Sequence, residues 1–112
     1  MKKELKLEVM ESMDEFAHAV RMNRDYSDDQ FERVKALLSD LAGAARNDHV
    51  IDKDLALSLY ALPQTVRNMF LSYDGSIETR PQRFDRLEDA WIDLDALVLE
   101  CLQPPWQDTR WP

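Results

Sequence analysis

The chain has 112 residues, 45% of them hydrophobic, and this is enough for one globular domain with a single core. Its 22 acidic and 14 basic residues give a net charge of −8, and no block of Lys and Arg follows the pattern of a phosphate-binding surface. This composition argues against direct binding of nucleic acid. The lone cysteine, the charged N-terminus and the lack of an apolar run of about 18 residues predict a cytoplasmic protein without disulfide, signal peptide or spanning helix.

Helical spacing dominates the first half of the chain. Apolar residues at steps of four, three and four predict a helix over about residues 3–22. Its apolar face consists of Val9, Met13, Phe16 and Val20. Ser27 and Gln30 have the spacing of a capping box, so a second helix should begin there. The face of this second helix consists of Phe31, Val34, Leu38, Leu41 and Ala45.

A third helix is predicted after Asp52, a residue type that favours the N-cap position. Its apolar stripe keeps an unbroken rhythm of four and three residues through Leu55, Leu59, Leu62, Val66, Met69 and Tyr73. Pro63 interrupts this stretch and removes one backbone hydrogen bond, so we expect a kink or a break near it. The surviving rhythm indicates that the helix keeps its direction.

A fourth helix is expected from about Pro81 onwards. Its main stripe consists of Phe84, Leu87, Trp91, Leu94, Val98 and Cys101. Residues 104–112 contain Pro104 and Pro105, which cannot continue a helix, and they predict an extended tail with Trp106 and Trp111. The sequence therefore predicts an all-α, up-down-up-down four-helix bundle over residues 1–103, followed by the tail.

The fourth helix also carries a second apolar stripe, formed by Ile92, Ala96 and Leu99. At 100° per residue this stripe lies well away from the main one. Glu88 and Asp95 point into the gap between the two stripes. The remaining acidic side chains of the helix gather on its polar side, at Asp89, Asp93 and Glu100.

Two interpretations account for the second stripe. It packs inside its own chain, either deep in the bundle or under Trp106 and Trp111 of the tail, as large apolar residues usually do. Alternatively it contacts a second protein, most simply a second copy of the chain, with Glu88 and Asp95 at the edge. In an antiparallel dimer, Arg83 and Arg86 are available to neutralise these carboxylates.

Motifs for chemistry are incomplete. Glu15 and His18 have the Glu-x-x-His spacing that supplies half of a di-iron site, but the other histidine, His49, has Arg46 and not a glutamate three positions before it. We therefore predict that substitution of Glu15 or His18 leaves function intact. Cys101 lies on the apolar stripe, where an inert buried thiol is the usual state.

Clustered carboxylates keep a metal-dependent enzyme open as an alternative. Glu8 and Glu11, together with Glu88, Asp89 and Asp93, are the groups that would hold Mg²⁺ or Mn²⁺ in an all-helical phosphohydrolase. Such a site requires side chains from two or more helices to converge on one ion. Charged runs on helical bundles are more often solvated surfaces.

The favoured hypothesis is a non-enzymatic bundle, without cofactor or metal, that binds another protein as an inhibitor, immunity protein, antitoxin or adaptor. An acidic surface attracts a basic protein, and aromatic side chains then anchor it. The predicted partner-binding residues are Glu88, Ile92, Asp93, Asp95, Leu99, Glu100, Trp106 and Trp111, with Trp91 as a further anchor if it is partly exposed. A self-associating structural or regulatory bundle is the remaining alternative.

Overall fold

The computed structural model describes residues 3–73, 75 and 83–103. These residues form four α-helices and no strand: α1 is Lys3–Asn23, α2 is Asp28–Ala44, α3 is Lys53–Leu71 and α4 is Arg86–Leu102. The predicted all-α four-helix bundle is therefore confirmed. The predicted tail, with Trp106 and Trp111, lies outside the described residues. None of the helices in the described part combines the length and the apolar character needed to cross a bilayer.

Local signals explain where the helices begin and end. Ser27 caps α2, because its hydroxyl accepts a hydrogen bond from the Gln30 N–H at 3.3 Å. Asp52 occupies the N-cap position of α3, but its carboxylate accepts a bond from Lys6 Nζ at 2.9 Å. After α1, Arg24 adopts the left-handed conformation with φ of 49° and donates its N–H to the Val20 carbonyl. This turn directs the chain into α2.

The predicted apolar stripes form the core. Phe16, Leu38, Leu59 and Leu94, one from each helix, are completely buried. The rings of Phe16, Tyr26 and Phe31 pack together with centroids 5.0 to 5.7 Å apart and close the α1–α2 end of this core. The helical faces assigned from the sequence are correct.

Two details of α3 and α4 refine the sequence analysis. The α3 helix runs continuously through Pro63, which is buried, so there is no break; a kink at this position stays a prediction. The α4 helix begins at Arg86, after a turn at residues 83–85, and not near Pro81, which lies outside the described residues. In this turn the Arg86 N–H donates to the Arg83 carbonyl at 3.0 Å, a tighter pattern than that of an α-helix.

The helices alternate in direction, as predicted. Lys6 Nζ lies 3.1 Å from an Asp54 oxygen, so the beginnings of α1 and α3 meet and these two helices are parallel. The α2 and α4 helices are also parallel, since Arg83 contacts Asp28 at the beginning of α2. Phe70 and Phe84 stack with centroids 5.2 Å apart, which places the end of α3 against the beginning of α4.

The order of the helices around the bundle differs from that of a simple up-down bundle, in which all consecutive helices are neighbours. Among the described residues, α1 contacts α2 and α3, whereas α4 contacts α2 and α3. The α1 and α4 helices occupy opposite corners, as do α2 and α3, so the order around the bundle is α1, α2, α4, α3. The link over residues 45–52 therefore joins diagonal corners, and α3 and α4 together form one outer face.

Candidate protein-binding face on α3 and α4

The second apolar stripe of α4 is exposed in the described part of the chain. Ile92 is 48% and Leu99 43% accessible, and Ala96 is also exposed. Packing deep inside the bundle is therefore not the explanation of this stripe, because the main stripe already occupies the inward side of α4. The alternative prediction, that Trp106 and Trp111 cover this stripe, involves residues outside the described part of the chain.

Glu88 and Asp95 lie on the side of α4 that is turned towards α3. The reference point is Trp91, which is half-buried beneath Arg67 of α3, with the guanidinium carbon 5.8 Å from the ring centroid. Glu88 precedes Trp91 by one helical turn and Asp95 follows it by one. Glu88 is exposed and Asp95 is half-buried. The two carboxylates thus flank the apolar stripe on its α3 side, and Trp91 is only partly available as an anchor.

The other three carboxylates of α4 form a separate acidic strip, which consists of Asp89, Asp93 and Glu100. All three are exposed. Arg86 defines their side of the helix, because it contacts Asp28 of α2 and because Asp93 and Glu100 follow it at steps of seven residues. The acidic strip therefore lies towards α2, and the division of the carboxylates into two groups agrees with the sequence analysis.

Two residues of α3 extend the apolar surface and were not predicted. Tyr60 is 64% and Leu71 59% accessible. Tyr60 precedes Arg67 by two turns and Leu71 follows it by one, so both share the side of α3 that is turned towards α4. Because the helices are antiparallel and Arg67 lies at Trp91, Tyr60 lies at the level of Val98. The sequence signal was present, since both residues fall outside the buried stripe of α3.

We call this surface the α3–α4 face and define it by Tyr60, Arg67, Leu71, Glu88, Ile92, Asp95 and Leu99. Four of these seven residues are large, apolar and exposed, and Leu102, 39% accessible, lies at the end of the face. The other exposed large apolar residues of the described chain are scattered over α1, the 45–52 link and another side of α3. Isolated residues of that kind are normal, whereas a group on one face is a feature that interaction sites share.

The structure places Arg83 and Arg86 away from the α3–α4 face. Both guanidinium groups contact the same Asp28 oxygen, Arg83 at 2.6 Å, and both lie over the Tyr26 ring, with centroid distances of 5.6 and 5.1 Å. They join the beginnings of α2 and α4, which are neighbouring helices on the side of the bundle away from α3. Their position therefore does not support the prediction that they neutralise Glu88 and Asp95 across a dimer.

The carboxylates considered for a metal site stand on opposite corners of the bundle. Glu8 and Glu11 are exposed on α1, whereas Glu88, Asp89 and Asp93 are exposed on α4, and these two helices do not contact each other in the described part of the chain. Over the same residues, no group of three or more His, Cys, Asp and Glu side chains is close enough to hold a metal ion. In the described part of the chain, these carboxylates therefore do not converge on one point, as a metal site formed by two helices requires.

The remaining candidate groups lie apart from the α3–α4 face. Glu15 and His18 are exposed on α1, and His49 lies in the link between α2 and α3. Burial raises the pKa of the Cys101 thiol to about 12, and the thiol donates a hydrogen bond to the Leu38 carbonyl at 3.3 Å. This is the environment of an inert structural thiol.

Comparison of the chain with protein-family models, curated proteins and solved structures gives no match. The inference of function therefore depends on the geometry of the α3–α4 face and of the acidic strip.

Proposed function

We propose that this chain is a non-enzymatic, cytoplasmic bundle that binds another protein and acts as an inhibitor, immunity protein, antitoxin or adaptor. The observation that supports the proposal is the exposure of Ile92 and Leu99 on a helix whose inward side is already filled. Exposed apolar groups of this size, rimmed by charged side chains, are typical of protein–protein interfaces. The buried, protonated Cys101 thiol is compatible with a reducing compartment.

A basic protein is the partner that the charges favour. The chain has a net charge of −8, and the acidic strip adds three exposed carboxylates beside the apolar stripe. Charges of one sign on a surface accelerate encounter with the opposite sign and discriminate against other partners. Tight binding then requires apolar contacts that exclude water, and Ile92, Leu99 and Tyr60 are exposed residues of the α3–α4 face that can supply them. Trp106 and Trp111 stay candidate anchors outside the described residues.

Site-specific cross-linking identifies the partner. A photo-reactive amino acid replaces Asp93 of the acidic strip, and a matched variant carries it in place of Asp40, which is exposed on α2. We expect a basic protein to be cross-linked from position 93 and not from position 40. Equal cross-linking from both positions would contradict a specific role of the acidic strip.

Calorimetric titration with the purified partner then tests the mechanism. Neutralising the acidic strip, by Asp89→Asn, Asp93→Asn and Glu100→Gln together, should weaken binding at least about tenfold at low salt and have little effect at high salt. The control neutralises Glu11 and Asp14 of α1, which are also exposed. Binding that depends on neither salt nor the acidic strip would overturn the proposal of a basic partner.

A further inference from the structure

The α3–α4 face carries one cation and two carboxylates that form no ion pair with one another in the described part of the chain. Arg67 lies at the level of Trp91, midway between Glu88 and Asp95, which are about 10 Å apart along α4 at 1.5 Å per residue. Within the described residues, Arg67 contacts the Trp91 ring and forms no ion pair. One cation thus lies beside two carboxylates on a face that is otherwise apolar.

We propose that the α3–α4 face binds a second copy of this chain around a two-fold axis parallel to the bundle. Arg67 of each copy then lies between Glu88 and Asp95 of the other. The proposal rests on the proposed function in taking this face as protein-binding, and it assigns the face to a second copy. The acidic strip, on the α2 side of α4, stays exposed in the dimer and attracts the basic partner, which then competes with the second copy for Ile92, Leu99 and Tyr60.

The charges select the direction of the two-fold axis. An axis parallel to the helices sets α3 of one copy against α4 of the other at the same level, so Arg67 meets two carboxylates. An axis perpendicular to the helices, centred at Trp91, sets α4 against α4 and places Glu88 opposite Asp95. It also places the two copies of Arg67 opposite each other. Like charges at an interface oppose binding, so the parallel axis is favoured.

The apolar side chains fit the same arrangement. Tyr60 lies at the level of Val98, so it meets Leu99 of the second copy. The aliphatic part of Arg67 packs over Ile92 of the second copy, as long basic side chains often do at interfaces. Tyr60 and the aliphatic part of Arg67 thus each meet an exposed apolar side chain of α4, and this pairing occurs twice around the axis. Leu71 lies at the level of the buried Leu87 and has no apolar partner in this arrangement.

The size of the face indicates a dimer of modest affinity. The 17 residues of α4 extend over about 25 Å, and two adjacent helices form a surface about 20 Å wide. This gives about 500 Å² for each copy and about 1,000 Å² in total, the lower limit of specific interfaces. We therefore expect a dissociation constant in the micromolar range.

Charge reversal tests the pairing by sedimentation velocity between 1 and about 200 µM. We expect the unmodified chain to dimerise, and both Arg67→Glu and the double variant Glu88→Arg with Asp95→Arg to raise the dissociation constant at least about tenfold. Combining all three substitutions restores opposite charges across the seam and should restore the dimer to within about threefold of the unmodified chain. A triple variant that is folded but monomeric would overturn the proposed pairing.

The controls carry the same changes in net charge elsewhere. Arg33→Glu on α2 matches Arg67→Glu, and Glu8→Arg with Glu15→Arg on α1 matches the double variant, with the same spacing of seven residues. We expect the controls to dimerise like the unmodified chain. Loss of the dimer in the controls would show that net charge, and not the α3–α4 face, determines association.

Cysteine cross-linking keeps the test decisive if Arg67→Glu fails to fold. A chain with Tyr60→Cys is mixed with a chain with Leu99→Cys under oxidised glutathione, and Glu11→Cys replaces Tyr60→Cys in the control mixture. We expect a disulfide-linked pair from positions 60 and 99 and not from positions 11 and 99. Cross-linking that is equal in the two mixtures would overturn the parallel two-fold arrangement.

The outcomes separate this inference from the proposed function. If the unmodified chain is a monomer up to about 200 µM while position 93 still captures a basic protein, the dimer is refuted and the protein-binding function stands. If the chain dimerises as described but no basic protein is captured, the proposed partner is refuted and the dimer stands.

Discussion

Truncation of Leu59 to Ala is the sharpest test of the assigned core. This side chain is completely buried in the middle of α3. Its loss removes about 1.5 to 3 kcal/mol of transfer free energy and leaves a cavity, so the free energy of unfolding should fall by about 2 to 5 kcal/mol. Because domains of this size are stable by about 5 to 15 kcal/mol, the change is a large part of the total. We expect the same range for Leu38→Ala, Leu94→Ala and Phe16→Ala.

Leu57→Ala is the matched control. It makes the same chemical change two residues earlier on the same helix, but Leu57 is 68% exposed. Its effect should stay within about 0.5 kcal/mol. Urea denaturation followed by circular dichroism measures both variants. A loss below about 0.5 kcal/mol at Leu59, or an equal loss at the two positions, would refute the assignment of helical faces.

Three further predictions concern groups outside the α3–α4 face. Glu15→Ala and His18→Ala should leave partner binding and stability unchanged; iron that copurifies with the chain, or loss of binding, would argue against this. Cys101 should react with iodoacetamide only as fast as the chain unfolds, because burial raises its pKa to about 12 and keeps it protonated; rapid labelling of the folded chain at pH 8 would contradict this. The hydrogen bond from Lys6 lowers the pKa of Asp54 below its ordinary 3.8, so the urea midpoint of the unmodified chain should exceed that of Lys6→Met near neutral pH. This difference should vanish as the pH falls below about 3.8, because Asp54 is then protonated. A difference that persists at low pH would exclude the ion pair as its cause.

The helices and their buried faces were predictable because both depend on local spacing. The stripe that includes Leu55, Leu59 and Val66 repeats within one helix, so its inward side follows from the helical period alone. The capping of α2 by Ser27 is equally local. Even Pro63 did not prevent the assignment, since the rhythm of the stripe continues through it.

The order of the helices was not predictable in the same way. Each of the four helices offers a similar apolar stripe, so hydrophobic burial alone permits more than one arrangement. The pairs that join the neighbours are far apart in sequence: Lys6 with Asp52, and Arg83 with Asp28. Because nothing local marks these charges as partners, the pairing of Arg83 and Arg86 with Asp28 was not predictable from the sequence.

The candidate site was predicted only on its α4 half. Ile92 and Leu99 are visible as a second stripe of one helix, and both are exposed in the structure. Tyr60, Leu71 and Arg67 join them only because α3 is adjacent to α4 and antiparallel to it. A surface formed by two helices follows from their packing, which the pattern of either helix alone does not contain.

The most direct test of the α3–α4 face as a protein-binding surface is the double variant Ile92→Glu with Leu99→Glu, examined by size exclusion with light scattering and by circular dichroism. Both residues are exposed, so the variant should fold and should neither dimerise nor bind the partner captured from position 93. The control, Leu7→Glu with Met22→Glu, changes two exposed residues of α1 and should behave like the unmodified chain. An Ile92 and Leu99 variant that unfolds, or one that associates as well as the control, would contradict the account.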